Sequence, residues 1–330
     1  VTEPTYDILG IGNAIVDVVA QAEDSFLSRH DMHKGAMQLI DAATADALYA
    51  AMPPGLESSG GSVANSCAVA AALGARVAYI GKVADDQLGQ VFRHDISAVG
   101  VHFPTAPLAG GAPTARCLIL VTPDGQRTMN TFLGACVTLD PADVPSHLVA
   151  AAKVTYLEGY LFDPPAAQAA FYKAAGAAHA AGRQIALSLS DAFCVNRHRE
   201  AFRTLVAGHV DILFANEVEI TSLYEKDTFE AAAELARADV GLAVLTRSED
   251  GSVILRGAET VAVEAVPARV IDTTGAGDAY AAGFLTGLTA GKSLADCGRL
   301  GSIAAAEVIS HYGARPEADL KLLAADAGLG

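Results

Sequence analysis

From about residue 153 the chain alternates short apolar runs with amphipathic stretches at a regular interval. VTYLEGYLF precedes a helix over 165 to 180, IALSLS a helix over 197 to 207, and DILFAN a helix over 217 to 224. GLAVLT then leads into a hairpin around Ser248 to Gly251. These strand runs are apolar throughout rather than alternating, which is the pattern of strands covered on both faces. Repeated βα units with right-handed crossovers predict a doubly wound α/β/α sandwich around a mainly parallel sheet. The stretch 276 to 309 reads as two Ala-rich helices broken at Ala290-Gly291-Lys292-Ser293.

The first third follows a different rhythm. Strands are expected at 6 to 12, 14 to 21 and 36 to 41, a helix at 63 to 73, and a strand at 76 to 82. TARCLILVTPDGQRTMNTF, residues 114 to 132, is two β-rich runs around Pro123-Asp124-Gly125, which predicts a hairpin projecting from the main body. No repeat, low-complexity tract or long linker divides the chain, so residues 1 to 330 are expected to form one domain.

Composition supports this picture. Hydrophobic residues make up 52% of the 330, with no Trp, which suits a buried sheet flanked by small-residue helices. A net charge of −16 argues against a nucleic-acid partner, because a phosphate backbone needs a basic face. The five cysteines, Cys67, Cys117, Cys136, Cys194 and Cys297, are odd in number and scattered, so neither a disulfide framework nor a zinc site is expected, and a reducing cytoplasm is. VTEPTYDILG lacks a basic-then-apolar leader pattern, and no apolar run reaches the roughly 18 residues of a membrane span.

Three loops could cradle a phosphate. Gly10-Ile11-Gly12-Asn13-Ala14-Ile15 begins like a dinucleotide fingerprint, but Ile15 stands at the third glycine and a strand follows. Gly287 to Ser293 resembles the end of a Walker A loop, yet only three residues separate its glycines and a helix precedes it. VIDTTGAGDAYAAG is different: Gly275, Ala276 and Gly277 sit just before a helix, so their amides can converge on an anion. Asp278 at that helix start is either a cap or a catalytic carboxylate. Asn13 and Asp17 share one strand face, and Asp17 in an apolar run is costly unless something binds it. Gly60-Gly61-Ser62 opens a helix bearing Asn65 on its first turn.

GNAIVD, GGSVAN, NEVE at 216 to 219 and DTTGAGD occur in the order and at the separations of the ribokinase-like, PfkB-type carbohydrate kinases, and the resemblance covers nearly the whole chain. It implies an ATP-dependent kinase in which Asp278 is the general base and the amides of Gly275 to Gly277 form the anion hole for the γ-phosphate. Asn216 and Glu219 match the family's NxxE motif, which organises Mg²⁺ through water, although an N-cap box fits the same letters. Thr246, Gly251 and Thr273 fall on the nucleotide side, and Ser302, Ala305 and the loop His311 to Arg315 fall where the family packs adenine. Monovalent cations such as K⁺ are required by many relatives, and the loop 311 to 313 is where such a site would be sought. The resemblance also implies a small β-sheet lid from strands inserted within about 14–41 and 112–134, closing one site or pairing across a homodimer.

Sugar-specific members often carry Lys in the second motif, whereas GGSVAN is similar to the GGSxxN of adenosine kinases. Substrate contacts are therefore expected from Asn13, Asp17, Gly61, Ser62 and Asn65. An apolar wall for a base is expected from Ile15, Met37 and Phe132, with Leu39, Cys117 and Phe162 as further candidates, and Arg127 is expected to approach the substrate or phosphates on closure. The expected reaction is phosphorylation of a nucleoside 5′-hydroxyl, adenosine foremost. A sugar kinase of the same family is the alternative, and a non-catalytic nucleotide- or sugar-binding regulator a third reading that the complete motif set disfavours.

Overall fold

The computed structural model describes residues 3–330; Val1 and Thr2, which belong to the single expected domain, lie outside the described residues. Its strands are β1 (Tyr6–Ile11), β2 (Ile15–Gln21), β3 (Met37–Leu39), β4 (Leu56–Gly60), β5 (Val77–Ile80), β6 (Val101–His102), β7 (Ala115–Val121) and β8 (Arg127–Phe132). They continue with β9 (Ala152–Glu158), β10 (Gln184–Ser188), β11 (Ile212–Asn216), β12 (Leu242–Thr246), β13 (Ser252–Arg256) and β14 (Glu259–Val263). The helices are α1 (Asp24–Arg29), α2 (Ala42–Ala51), α3 (Ser62–Ala72), α4 (Gln87–Ala98), α5 (Ser146–Ala150) and α6 (Pro165–Ala180). They are followed by α7 (Ala192–His209), α8 (Glu217–Tyr224), α9 (Phe229–Asp239), α10 (Ala276–Thr289), α11 (Leu294–Val308) and α12 (Leu320–Asp326).

A nine-stranded sheet runs β14-β13-β12-β11-β10-β9-β1-β5-β6. It is parallel from β12 to β6, and β13 and β14 are antiparallel at one edge. The two faces carry separate cores. One packs α3, α10 and α11 against the sheet through Val63, Cys67, Phe284 and Leu285, and the other packs α6, α7 and α8 through Phe171, Phe202 and Leu223. This is the three-layer ribokinase-like α/β architecture, and it explains why the strands are apolar on both sides.

A second sheet of five strands, β3-β8-β7-β2-β4, lies beside the first. It contains the hairpin β7-β8 around Asp124 and Gly125, and it draws also on β4, outside 14–41 and 112–134. Asp17 pairs in register with Cys117 and Ser58, so this sheet surrounds the one acidic residue of β2. The helix expected over 197 to 207 begins earlier, at Ala192, because the Asp191 side chain caps Cys194 N, and it kinks at His198 where φ is −127°.

Candidate active site

The carboxyl ends of the parallel strands and the inner face of the five-stranded sheet enclose a cavity of about 720 Å³. Asn13 follows β1, and Glu158, Ser188, Asn216 and Thr246 are the last residues of β9, β10, β11 and β12, and all five line it. Ligands of open α/β sheets bind at this end, where strand carbonyls give way to loops and helix N-termini.

One wall is the junction of α3 and α10. Gly275, with φ +79°, turns the chain into α10, and a Cβ there would meet Ala314 Cβ at 2.6 Å. The N–H of Ala276 donates to Thr273 O at 3.2 Å, closing the loop, while the next amides belong to a first helical turn that has no intrahelical acceptor. Thr273, Gly275, Ala276 and Gly277 all line the cavity. Asp278, in that first turn, accepts a hydrogen bond from Ser62 Oγ at 2.6 Å. Burial raises its pKa to about 6, against the opposing influence of Ser62, Asn65 and the Arg315 guanidinium. A carboxylate so placed is ionised at neutral pH yet basic enough to accept a proton.

The opposite wall combines polar anchors with apolar side chains. The Asp17 carboxylate accepts no hydrogen bond among the described residues, and burial raises its pKa to about 6, with Arg315 and Arg127 acting against the shift. Around it lie Ile15, Met37, Leu39, Cys117, Ile119, Met129 and Thr131. Asn13 Oδ1 is buried without a partner. Gly61, at φ +101°, brings its chain against Asn13 O, and with Ser62 and Asn65 it lines the cavity. Arg315 Nε donates to Asn65 Oδ1 at 3.0 Å and fixes that amide.

Glu158, which the sequence reading passed over, ties these parts together. Its Oε1 accepts from Asn13 N at 3.3 Å and Asn13 Nδ2 at 2.9 Å, and its Oε2 accepts from Val63 N at 3.0 Å. It is buried, and that burial raises its pKa to about 7. The only signal in the sequence was an acidic residue ending an apolar strand, LEGY.

On the far side, Asn216 and Glu219 form a complete capping box. Asn216 Oδ1 accepts from Glu219 N at 2.8 Å, and Glu219 accepts from Asn216 N at 2.9 Å and Nδ2 at 2.8 Å. Both also line the cavity, and burial raises the Glu219 pKa to about 7, with Asp191 and Asp278 adding to the rise.

Several expected site residues stand elsewhere. Phe132 points away from the cavity, with the Arg116 guanidinium 6.0 Å from its ring, because Thr131 before it occupies the inner face of β8. Phe162 is wholly buried against Phe171 and Phe202. Arg127 does not line the cavity but pairs with Asp272 at 2.7 Å. Gly251, Ser302 and Ala305 are also outside the lining; Gly251 packs on Val263 O, and Ser302 is buried near Glu264 O. Within the loop 311 to 315, none of whose residues lines the cavity, Arg315 turns toward Asn65 and Ser59.

Six carboxylates line the cavity, from Asp17, Glu158, Asp163, Asp191, Glu219 and Asp278, with Arg197 as the one cationic side chain among the described lining residues. Fold and site together define a phosphotransferase that acts on a hydroxyl group. The chain belongs to the pfkB family of carbohydrate kinases, whose sequence model matches residues 51–320. It is similar over 99% of its length to a probable sugar kinase from Rhizobium etli CFN 42, at 52% identity, covering 99% of that chain with a TM-score of 0.91. It is similar over 98% to adenosine kinase from Sinorhizobium meliloti, at 56% identity, covering 99% of that chain with a TM-score of 0.89. Adenosine kinase 2 of Arabidopsis thaliana is 26% identical over 339 residues, which cover 93% of this chain and 94% of that one.

Proposed function

We propose that the protein transfers the γ-phosphoryl group of ATP to the 5′-hydroxyl of a nucleoside, adenosine foremost, giving ADP and AMP. The observation that carries this reading is the pairing, within one cavity, of an unpartnered Asp17 beside an apolar wall with Asp278 beside the α10 amides. A ribose fits the first: Asp17 accepts from its hydroxyls, and Asn13 and Asn65 add polar anchors. A purine face fits Ile15, Met37, Leu39 and Met129. The similarity to the S. meliloti adenosine kinase supports the same choice.

In this reading the acceptor hydroxyl replaces Ser62 as the partner of Asp278, which takes the proton as the oxygen–phosphorus bond forms and the bond to the ADP oxygen breaks. The amides of the Gly275–Gly277 turn that the Ala276–Thr273 bond leaves free, with the α10 N-terminus, stabilise the charge on the transferring group, so that positioning and electrostatics supply most of the acceleration. Among the described residues no three His, Cys, Asp or Glu side chains are grouped to hold a metal ion. Glu219 and Asn216 would hold Mg²⁺ through water on this side of the cavity, where the metal would supply positive charge to the phosphates. Thr246 and Thr273 line the nucleotide side. The five-stranded sheet acts as the lid of a single kinase domain, excluding water from the phosphoryl group.

The similarity to a probable sugar kinase favours a second reading, a sugar or sugar-phosphate acceptor. ADP release from Mg·ATP with adenosine, inosine, guanosine, ribose and fructose 6-phosphate, each offered separately, decides between the two. Adenosine is expected to give the highest kcat/KM; preference for ribose or a sugar phosphate would overturn the nucleoside assignment and leave the kinase mechanism.

A further inference from the structure

The hairpin of the small sheet reaches the phosphate-loop side of the cavity at one buried ion pair. Arg127, the first residue of β8, places Nη1 2.7 Å from Asp272 Oδ2, with the two side chains only 10% and 8% exposed. Asp272 opens DTTGAGD. Its Oδ1 accepts from Thr274 N at 3.0 Å and Thr274 Oγ1 at 2.7 Å, and its Oδ2 accepts from Gly313 N at 3.1 Å. One carboxylate therefore shapes the turn leading to Gly275 while facing a cation from the other sheet. The contact is broader than one pair: the Arg127 guanidinium carbon lies 5.7 Å from the Tyr312 ring centre, and a Cβ at Gly125 in the hairpin turn would meet Tyr312 Oη at 2.6 Å. Arg127 Nε is buried with no acceptor, so the guanidinium is only partly satisfied in this closed position.

We propose that Arg127 and Asp272 are a positioning pair: docking of the β7-β8 hairpin sets the 272–277 turn through Asp272, so the loop amides take their phosphate-binding shape only when the sheet is down. The physical ground is that Asp272 answers to both sides at once. With Arg127 withdrawn, a buried carboxylate loses its countercharge, and the environment holding the Thr274 and Gly313 amides changes with it. Phosphoryl transfer is thereby tied to cover over the acceptor, which suppresses transfer to water. This inference rests on the proposed role of the Gly275–Gly277 loop.

The test is a double-mutant cycle on the full chain, with Arg127→Met, Asp272→Asn, both together, and Arg127→Lys, reading kcat, both KM values and ADP release without acceptor. Each charge-removing single variant is expected to lower kcat at least about tenfold with acceptor KM within about threefold, and the double to fall no more than about threefold below the weaker single. Arg127→Lys is expected to recover part of the loss, and the ratio of ATP hydrolysis to transfer is expected to rise in both single variants. Losses that multiply in the double variant, singles within about twofold of the parent, or effects confined to KM would overturn the pairing. If Asp272→Asn fails to fold, as a melting scan would reveal, Arg127→Met against Arg127→Lys decides by the hydrolysis ratio. Asp278→Asn in the same assay reports separately: retained turnover there overturns the proposed base, whatever the cycle shows.

Discussion

Asp278 and Glu158 show how two buried carboxylates in one cavity serve different ends. Asp278 has a single hydroxyl partner and can exchange it for a substrate, so Asp278→Asn is expected to keep ligand binding and lose kcat by about three orders of magnitude, checked by titration calorimetry and steady-state kinetics. Because the pKa of this proposed base is raised to about 6, it is lost to protonation as pH falls, and kcat/KM should rise with pH through about 6 and level above it. Profiles of kcat/KM against pH, which report the free enzyme, will check that rise. Glu158 instead meets three N–H donors with two oxygens, an arrangement only an ionised carboxylate satisfies fully. Glu158→Gln must turn an NH₂ toward one of those donors. It is expected to cost about 1–3 kcal/mol, read as a lower denaturant midpoint. Asp17, Ser62, Asn65 and Asp278 were legible because an anomalous polar residue or a glycine turn marks each one. Phe132 was not, since its face depends on where β8 enters the sheet, and neither was Glu158, whose partners are 95 and 145 residues away.

Elements differ in how much of their reason is local. α8 carries its own start signal, the Asn216–Glu219 box, so Asn216→Ala is expected to destabilise by about 0.5–2 kcal/mol from capping alone, visible in chemical denaturation. If that residue also contacts metal-bound water, the apparent KM for Mg·ATP will rise as well. At the α10 start the geometry forbids a side chain: Gly275→Ala places a Cβ against Ala314 at a positive φ, so the expected outcome is loss of ATP binding together with a lower melting temperature. The βα units after residue 153 were readable from periodicity because each strand is buried on both faces. β4, LESSG, was not, because an edge strand with polar residues is held by β2 and not by its own pattern. The helix α4, with Leu88, Val91, Phe92 and Ile96 on one face and an Asp86 cap, carried a legible amphipathic pattern that went unread.

For the molecule as a whole, the acidic cavity ties stability to pH. Asp17 and Asp278 are raised to about 6, and Glu158 and Glu219 to about 7, so between pH ~4 and ~7 the folded chain binds more protons than the unfolded one. The contribution of these four groups is fully present below their unfolded pKa values and is lost as pH rises through the folded ones. The ligand-free protein is therefore expected to melt at lower temperature at pH 7 than at pH 5, as scanning calorimetry across pH will test. Architecture was legible at this scale, whereas the fifth strand of the small sheet and its docking on Asp272 were not, because both are set by contacts between segments distant in sequence.

The bond between Ser62 and Asp278 joins positions 216 residues apart. On a ribosome, where chains lengthen at about 5–20 residues per second, that separation is on the order of ten to forty seconds. Throughout that interval α3 stands without α10, and Ser62 and Ser66 wait for Asp278, to which both donate in the folded chain. Asn13 can meet Glu158 early, and Asp17 its neighbours in the small sheet, whereas Asp278 and the Gly275–Gly277 turn arrive together only after them. A nascent chain stalled before residue 276 would hold Asn13 and Asp17 with neither the proposed base nor Arg315, which fixes Asn65.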